Sequence, residues 1–192
     1  MTKRIVLAGV LGGVAMFVWS SLAHIVLPLG RAGISEIPNE GALLSAMHSA
    51  LGESSGLYMF PGFGSNSDMR KYEQKLAANP SGLLVYHPPG MKAMTAGQLV
   101  TELLTEFGEA LLLAWLMAQT RLASAPSRLG FAIAVGLVAA MATNIPYWNW
   151  YGFPSTYTLA YMSMQIVGFL VGGLVAARML PQVEQEGILR AG

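Results

Sequence analysis

Four apolar stretches, each long enough to cross a bilayer, constrain this chain more than any other feature. A spanning helix needs roughly 20 mostly apolar residues at about 1.5 Å of rise each. Ile5–Leu27 contains no Asp, Glu, Lys or Arg, and Ala96–Gln119, Leu129–Trp148 and Thr156–Ala177 complete the set. Charged residues are 11% of the total, under half of the roughly 25% usual in a soluble domain. That excludes a disordered chain and an ordinary soluble enzyme, and a net charge of +1 excludes nucleic-acid binding driven by basic charge. With no cysteine, disulfides, thiolate nucleophiles and thiolate metal sites are excluded too. The expected fold class is an all-α membrane protein, a four-transmembrane-helix bundle with a small extracytoplasmic α+β segment, residues 28–95, inserted between helices 1 and 2.

Basic residues set the orientation. Lys3 and Arg4 precede the first span, Arg121 and Arg128 lie between the second and third, and Arg178 and Arg190 follow the fourth. These places share one side, so both termini are expected in the cytoplasm and the chain in the inner membrane of a bacterium. The inserted segment also carries Arg31, Arg70, Lys71, Lys75 and Lys92. It is about 68 residues long, and loops of that length translocate largely regardless of charge. The stretch Tyr147–Trp148–Asn149–Trp150–Tyr151–Gly152–Phe153–Pro154 reads as a turn in the outer aromatic belt, where a ring is apolar and its N–H or O–H stays wet. Thr2–Lys3–Arg4 followed by an apolar run and Ser21–Leu22–Ala23 has the outline of a signal peptide. The run exceeds the roughly 7–15 residues of a signal core, so a retained helix is expected.

The inserted segment is too long for a connector. Gly41–Leu51 reads as a helix with Leu43, Leu44, Met47 and Leu51 apolar. Gly56–Gly62 and Gly82–Pro88 are aliphatic and aromatic runs bounded by Gly and Pro, hence strands. Between them Ser67–Ala78 reads as a helix capped by Ser67 or Asp68 and ended by Asn79–Pro80. The expected order is helix, strand, helix, strand, forming a lid. Gly62–Phe63–Gly64–Ser65 is glycine-rich but has no strand–helix context that would cradle phosphate.

Gly9 and Gly13, Gly168 and Gly172 with Ala176, and Ala132 and Gly136 place small residues one turn apart. That spacing lets helix backbones approach closely in lipid. Packing within the bundle is the plainer reading; a dimer seam or docking on a larger complex is the sharper one.

The second span is unusual in carrying Glu102, Glu106 and Glu109. Spacings of four and three hold the carboxylates within about 60° of helical azimuth. The apolar remainder Ala110–Ala118 is only about 14 Å long, against roughly 30 Å of hydrocarbon. The acidic half therefore lies inside the membrane or under the inserted segment, where each carboxylate needs a proton or a partner. Counting rises puts His24, Asn144 and Tyr161 near the height of Glu102, and Ser20 and Gln165 near Glu106. Three readings follow: a hydrogen-bonded structural cluster; a site for a proton, cation or small polar ligand; and a metal site of His24, Glu102 and Glu106, since imidazole and carboxylate bind iron, zinc or manganese. The absence of a Glu-x-x-His pair counts against the last, and no cofactor is expected. His48, His87, Met47, Met59, Met69, Met91 and Met94 in the inserted segment form no dense metal-binding run, so the Met side chains are expected to pack on its apolar side. Walker, G-x-S-x-G and H-E-x-x-H motifs are absent.

Asn149–Trp150–Tyr151–Gly152–Phe153–Pro154 with the Gly-rich last helix ending Ala176–Ala177–Arg178 resembles uncharacterised small bacterial membrane proteins of the domain-of-unknown-function kind. The resemblance covers the C-terminal quarter and implies a multi-pass membrane protein without an assigned activity. The plan of one helix, a long loop and three helices is similar to the claudin-like plan, without its loop Trp and cysteine pair. The expected function is a non-enzymatic structural or accessory membrane subunit working through helix packing and lid contacts, as a homo-oligomer or in a larger complex. The alternative is binding or transport of a proton, cation or small polar ligand through His24, Glu102, Glu106, Glu109, Asn144, Tyr161 and Gln165.

Overall fold

A computed structural model describes residues 3–64, 68–120 and 122–181. Arg121, Arg190, Thr2, Ser65 and Ser67, which figured in the readings above, lie outside the described residues. The chain is mostly helical, with α1 (Lys3–Ile25), α2 (Glu40–Leu51), α3 (Met69–Ala78), α4 (Ala96–Gln119), α5 (Ala125–Tyr151), α6 (Ser155–Met179) and the strands β1 (Gly56–Phe60) and β2 (Gly82–Tyr86). It divides into two compact units. One holds α1, a short 3-10 turn Pro28–Arg31, α4, α5 up to Trp148, and α6; the other is Ser35–Ala93 with Asn149–Gly152.

In the first unit α1, α5 and α6 are long and apolar enough to cross a membrane. At 24 residues α4 matches them in length but carries the three glutamates. α1 runs antiparallel to α4 and to α6, α5 runs antiparallel to α6, and α4 and α6 lie parallel. On α1, Gly9 faces Leu111 and Gly13 faces Phe107 of α4, while Gly12 and Met16 meet Gly172 of α6. On α5, Ala132 meets Gly173 and Gly136 meets Phe169 of α6. A Cβ on Gly9 would sit 2.8 Å from the Leu111 backbone, closer than real contacts allow, so only glycine admits this approach. The small-residue rows are thus used within the chain. Ile5, Ala8, Leu113, Ala114, Met117, Ala132 and Ala176 form the buried core where they meet. The large aliphatics of α1, Val6, Leu7, Val10, Leu11, Val14, Val18 and Leu22, point outward and are exposed. Small side chains inside and large apolar ones outside is the inverse of a soluble bundle, and suits a lipid surround.

Helix ends refine the expected spans. α1 stops at Ile25 rather than Leu27. α4 has the expected bounds, fixed by a capping box in which Thr95 Oγ1 accepts from the Gln98 amide and Gln98 returns to Thr95. α5 begins four residues before Leu129, where Ser124 Oγ accepts from the Ser127 amide, and α6 runs slightly past both expected ends. The expected turn from Tyr147 is a correction. α5 continues through Pro146 to Tyr151, since proline there costs one ladder bond without ending the helix. Gly152, at φ +70°, supplies the left-handed residue that ends it.

Arg128 differs most from its expected role as a loop charge. It sits in the first turns of α5 and is only 4% exposed. Nε donates to the Leu122 carbonyl at 3.0 Å, and Nη1 to those of Ala177 at 3.1 Å and Leu180 at 2.9 Å, while Nη2 reaches the Pro181 carbonyl. A cation on the open carbonyls at the end of α6 complements the helix dipole and satisfies acceptors that would otherwise be orphaned.

The second unit has the expected order. β1 and β2 pair antiparallel, Gly56 opposite Tyr86 through Phe60 opposite Gly82. Tyr86 is buried and its hydroxyl donates to the Gly52 carbonyl at 2.8 Å. Asp68 caps α3, accepting from the Arg70 amide at 3.1 Å, and Lys75 Nζ donates to the Gly62 carbonyl at 3.3 Å. α2 forms as expected with no residue fully buried: Leu43 and Leu44 are exposed, and Met47 and Leu51 are half-buried. One expectation, the packing of the methionines, needs correction. Met59, Met69, Met91 and Met94 are exposed rather than packed.

Candidate functional site

Leu113 and Ala114 fill the space between α1, α4 and α6 at the end where α1 begins. Toward the other end the residues facing inward grow polar and the three helices line a half-open cavity of about 330 Å³. α1 lines it with Met16, Trp19, Ser20 and His24, which recur every three or four residues on one face. α4 contributes Glu102, Thr105, Glu106 and Glu109, and α6 contributes Tyr161, Met164, Gln165, Gly168 and Phe169. Glu102 and His24 are exposed, while Glu106 and Glu109 lie half-buried further in.

Hydrogen bonds fix several of these groups. Ser20 Oγ donates to Glu102 Oε1 at 3.4 Å. The Ser20 carbonyl accepts from His24 Nδ1 at 2.9 Å. A carbonyl only accepts, so Nδ1 carries the proton, and in the neutral ring Nε2 is an acceptor. The His24 ring sits edge-on to Tyr161, with centroids 6.0 Å apart, and Tyr161 stacks on Tyr157 at 4.2 Å. A Cβ on Gly30 of the 3-10 turn would fall 2.7 Å from His24 Cδ2, so glycine lets that turn close over the imidazole. Trp19 Nε1 donates to the Met164 carbonyl at 2.9 Å, tying α1 to α6.

Asn144 stands behind the cavity wall. Its Nδ2 donates to the Ala140 carbonyl at 2.9 Å and to Gln165 Oε1 at 2.6 Å. The carbonyl orients the Asn144 amide, and Asn144 orients Gln165 by donating to its Oε1.

Of the seven residues picked from sequence, His24, Glu102, Glu106, Glu109, Tyr161 and Gln165 therefore line one cavity, and Asn144 supports it through Gln165. His24 and the glutamates are linked through Ser20 rather than in direct contact. Among the described residues no three His, Asp or Glu side chains are grouped closely enough to hold a metal ion. Sequence reasoning missed Met16, Trp19, Thr105, Met164, Gly168 and Phe169. The first two share the helical face of Ser20 and His24, a periodicity that would have found them.

Comparison with known proteins finds no matching family model, no matching curated protein and no matching solved structure. What the structure defines is a class: a helical protein with three helices suited to a membrane and a polar cavity between three of its long helices.

Proposed function

We propose that the chain is a four-span membrane protein that binds a cation in the cavity between α1, α4 and α6. The carrying observation is the convergence of carboxylate, imidazole, phenol and amide side chains from three helices on one cavity. α4 is taken as the fourth span because it pairs with α1 turn for turn, from Leu111 against Gly9 to Glu102 against Ser20. Its glutamates face the cavity while Leu104, Leu112, Trp115 and Leu116 face outward. Lys3, Arg4, Arg128 and Arg178 all fall at one end of the bundle, which supports both termini in the cytoplasm, residues 28–95 outside, and a cavity on the outer side. Ionisable residues inside a membrane bundle ordinarily mark ion or substrate sites. The reading needs no chemical step and no resident cofactor.

Purified protein in liposomes tests it. Uptake or binding of at least one cation, protons included, should be saturable for the wild type and lost in Glu106→Gln, with the variant still folded. A Glu106→Gln variant that performs as the wild type contradicts the proposal.

A second reading, an accessory subunit of an oligomer or larger complex, is favoured by the uncovered apolar residues Leu43 and Leu44 of α2. Its support from the glycine rows is gone, because those rows close inside the chain. Purification at native expression level tests it: a lone monomer in mild detergent counts against it.

A further inference from the structure

The cavity walls also select among cations, an inference that rests on the reading just given. Size is the first consideration. About 330 Å³ is at the lower edge of small-molecule pockets, roughly 300–1,000 Å³, and far exceeds a bare ion. Arrangement is the second. Metal ions such as calcium gather six to eight oxygens around one point, yet no three carboxylate or imidazole groups are so gathered among the described residues. Glu102, Glu106 and Glu109 are instead strung along α4, at rises of about 6 and 4.5 Å. The third is the facing wall: α1 and α6 supply Trp19, Tyr161 and Phe169 with the thioethers of Met16 and Met164. Aromatic rings and thioethers are poor ligands for hard cations. Rings opposite a carboxylate are the usual surroundings of an organic ammonium group, which combines charge with apolar surface.

We infer that the cavity takes a small organic ammonium ion, its charge toward the glutamates of α4 and its carbon skeleton against Trp19 and Tyr161. Gln165 lines the cavity with its Oε1 engaged by Asn144, which leaves its N–H2 as the donor on offer, so an ammonium bearing a hydroxyl is held better than a bare alkylammonium. The same chemistry exists in free amines and in the headgroup of phosphatidylethanolamine.

Trp19 is a built-in reporter. In the full chain with Trp115, Trp148 and Trp150 changed to Phe, its fluorescence is followed in maltoside detergent against ethanolammonium, ethylammonium, tetramethylammonium, KCl and CaCl2 at matched ionic strength. Ammonium ions should give a saturable change, with ethanolammonium ahead of ethylammonium, while KCl and CaCl2 give none. Glu106→Gln should weaken ammonium binding by about tenfold or more. If that variant fails to fold, Tyr161→Leu should weaken it instead, and Gln165→Leu should erase the preference for the hydroxyl. A saturable response to KCl or CaCl2 without one to ammonium ions overturns this inference and leaves the cation reading standing. Silence toward every cation, with no uptake in liposomes, overturns both. Nanodiscs assign the source: ethanolammonium affinity lowered by phosphatidylethanolamine, relative to phosphatidylglycerol, indicates the lipid headgroup, and unchanged affinity indicates a free amine.

Discussion

The two ends of the bundle are built from the same helices by opposite means. At the end where α1 begins, glycines meet the backbone and side chains of the facing helix directly, Gly9 at Leu111, Gly12 at Gly172 and Gly173 at Ala132, and little else fits there. At the other end the facing residues are Ser, His, Glu, Gln and Tyr, with Trp19 spanning from α1 to α6, and the helices line a half-open cavity. Without a strong hydrophobic force between helices in lipid, close packing and polar contacts set where helices join. The small residues act as the clamp, and the clamp lets the other end hold an imperfectly filled polar space.

Breaking the clamp should have the largest effect. Gly13→Ile drives a branched side chain into the Phe107 backbone, which cannot move aside. We expect a loss of about 3 kcal/mol, read as a lower unfolding midpoint in detergent. Arg128→Met comes next, since it strips donors from the Leu122, Ala177, Leu180 and Pro181 carbonyls. It should cost about 2–3 kcal/mol, and Arg128→Lys should recover only part, because an ammonium cannot span the set as a planar guanidinium does. Asn144→Leu sharpens the comparison from the polar end: about 1 kcal/mol of stability should be lost, together with the orientation of Gln165 and the ligand preference that depends on it. The smallest change has the opposite sign. Nothing lies within 4 Å of a Cβ on Gly108, so Gly108→Ala should stabilise α4 by about 0.5–1 kcal/mol. Equal effects at Gly13 and Gly108 would mean that the glycine rows do not clamp.

Much of the polar end was legible because helices that cross the same layer share one rise per residue. Counting along each span brought His24 and Tyr161 to the height of Glu102 and Gln165 to that of Glu106, and polar groups in an apolar helix announce themselves. The aromatic wall was only partly legible: Trp19 shares the face of Ser20 and His24, whereas Phe169 looks like any lipid-facing residue until helix rotation is known. Arg128 was misread for a related reason: its role depends on where another helix ends, about fifty residues further on. α5 outran its expected end at Trp148 because its aromatic stretch was read as an interfacial turn, whereas the helix continues to Tyr151. In the inserted segment, Gly and Pro punctuation located both strands, whereas the apolar pattern of α2 could not reveal whether anything covers it.

The contrast between the ends is tested most directly by labelling. The chain has no cysteine, so a single introduced thiol reports on its own site. Thr105→Cys lies on the cavity and Ala114→Cys in the clamp. In right-side-out vesicles, a membrane-impermeant maleimide added outside should label Cys at 105, more slowly when tetramethylammonium is present, and should leave Cys at 114 unmodified. Labelling at 114 as fast as at 105, or none at 105 in a folded variant, would contradict a dry clamp beneath an outward-facing cavity.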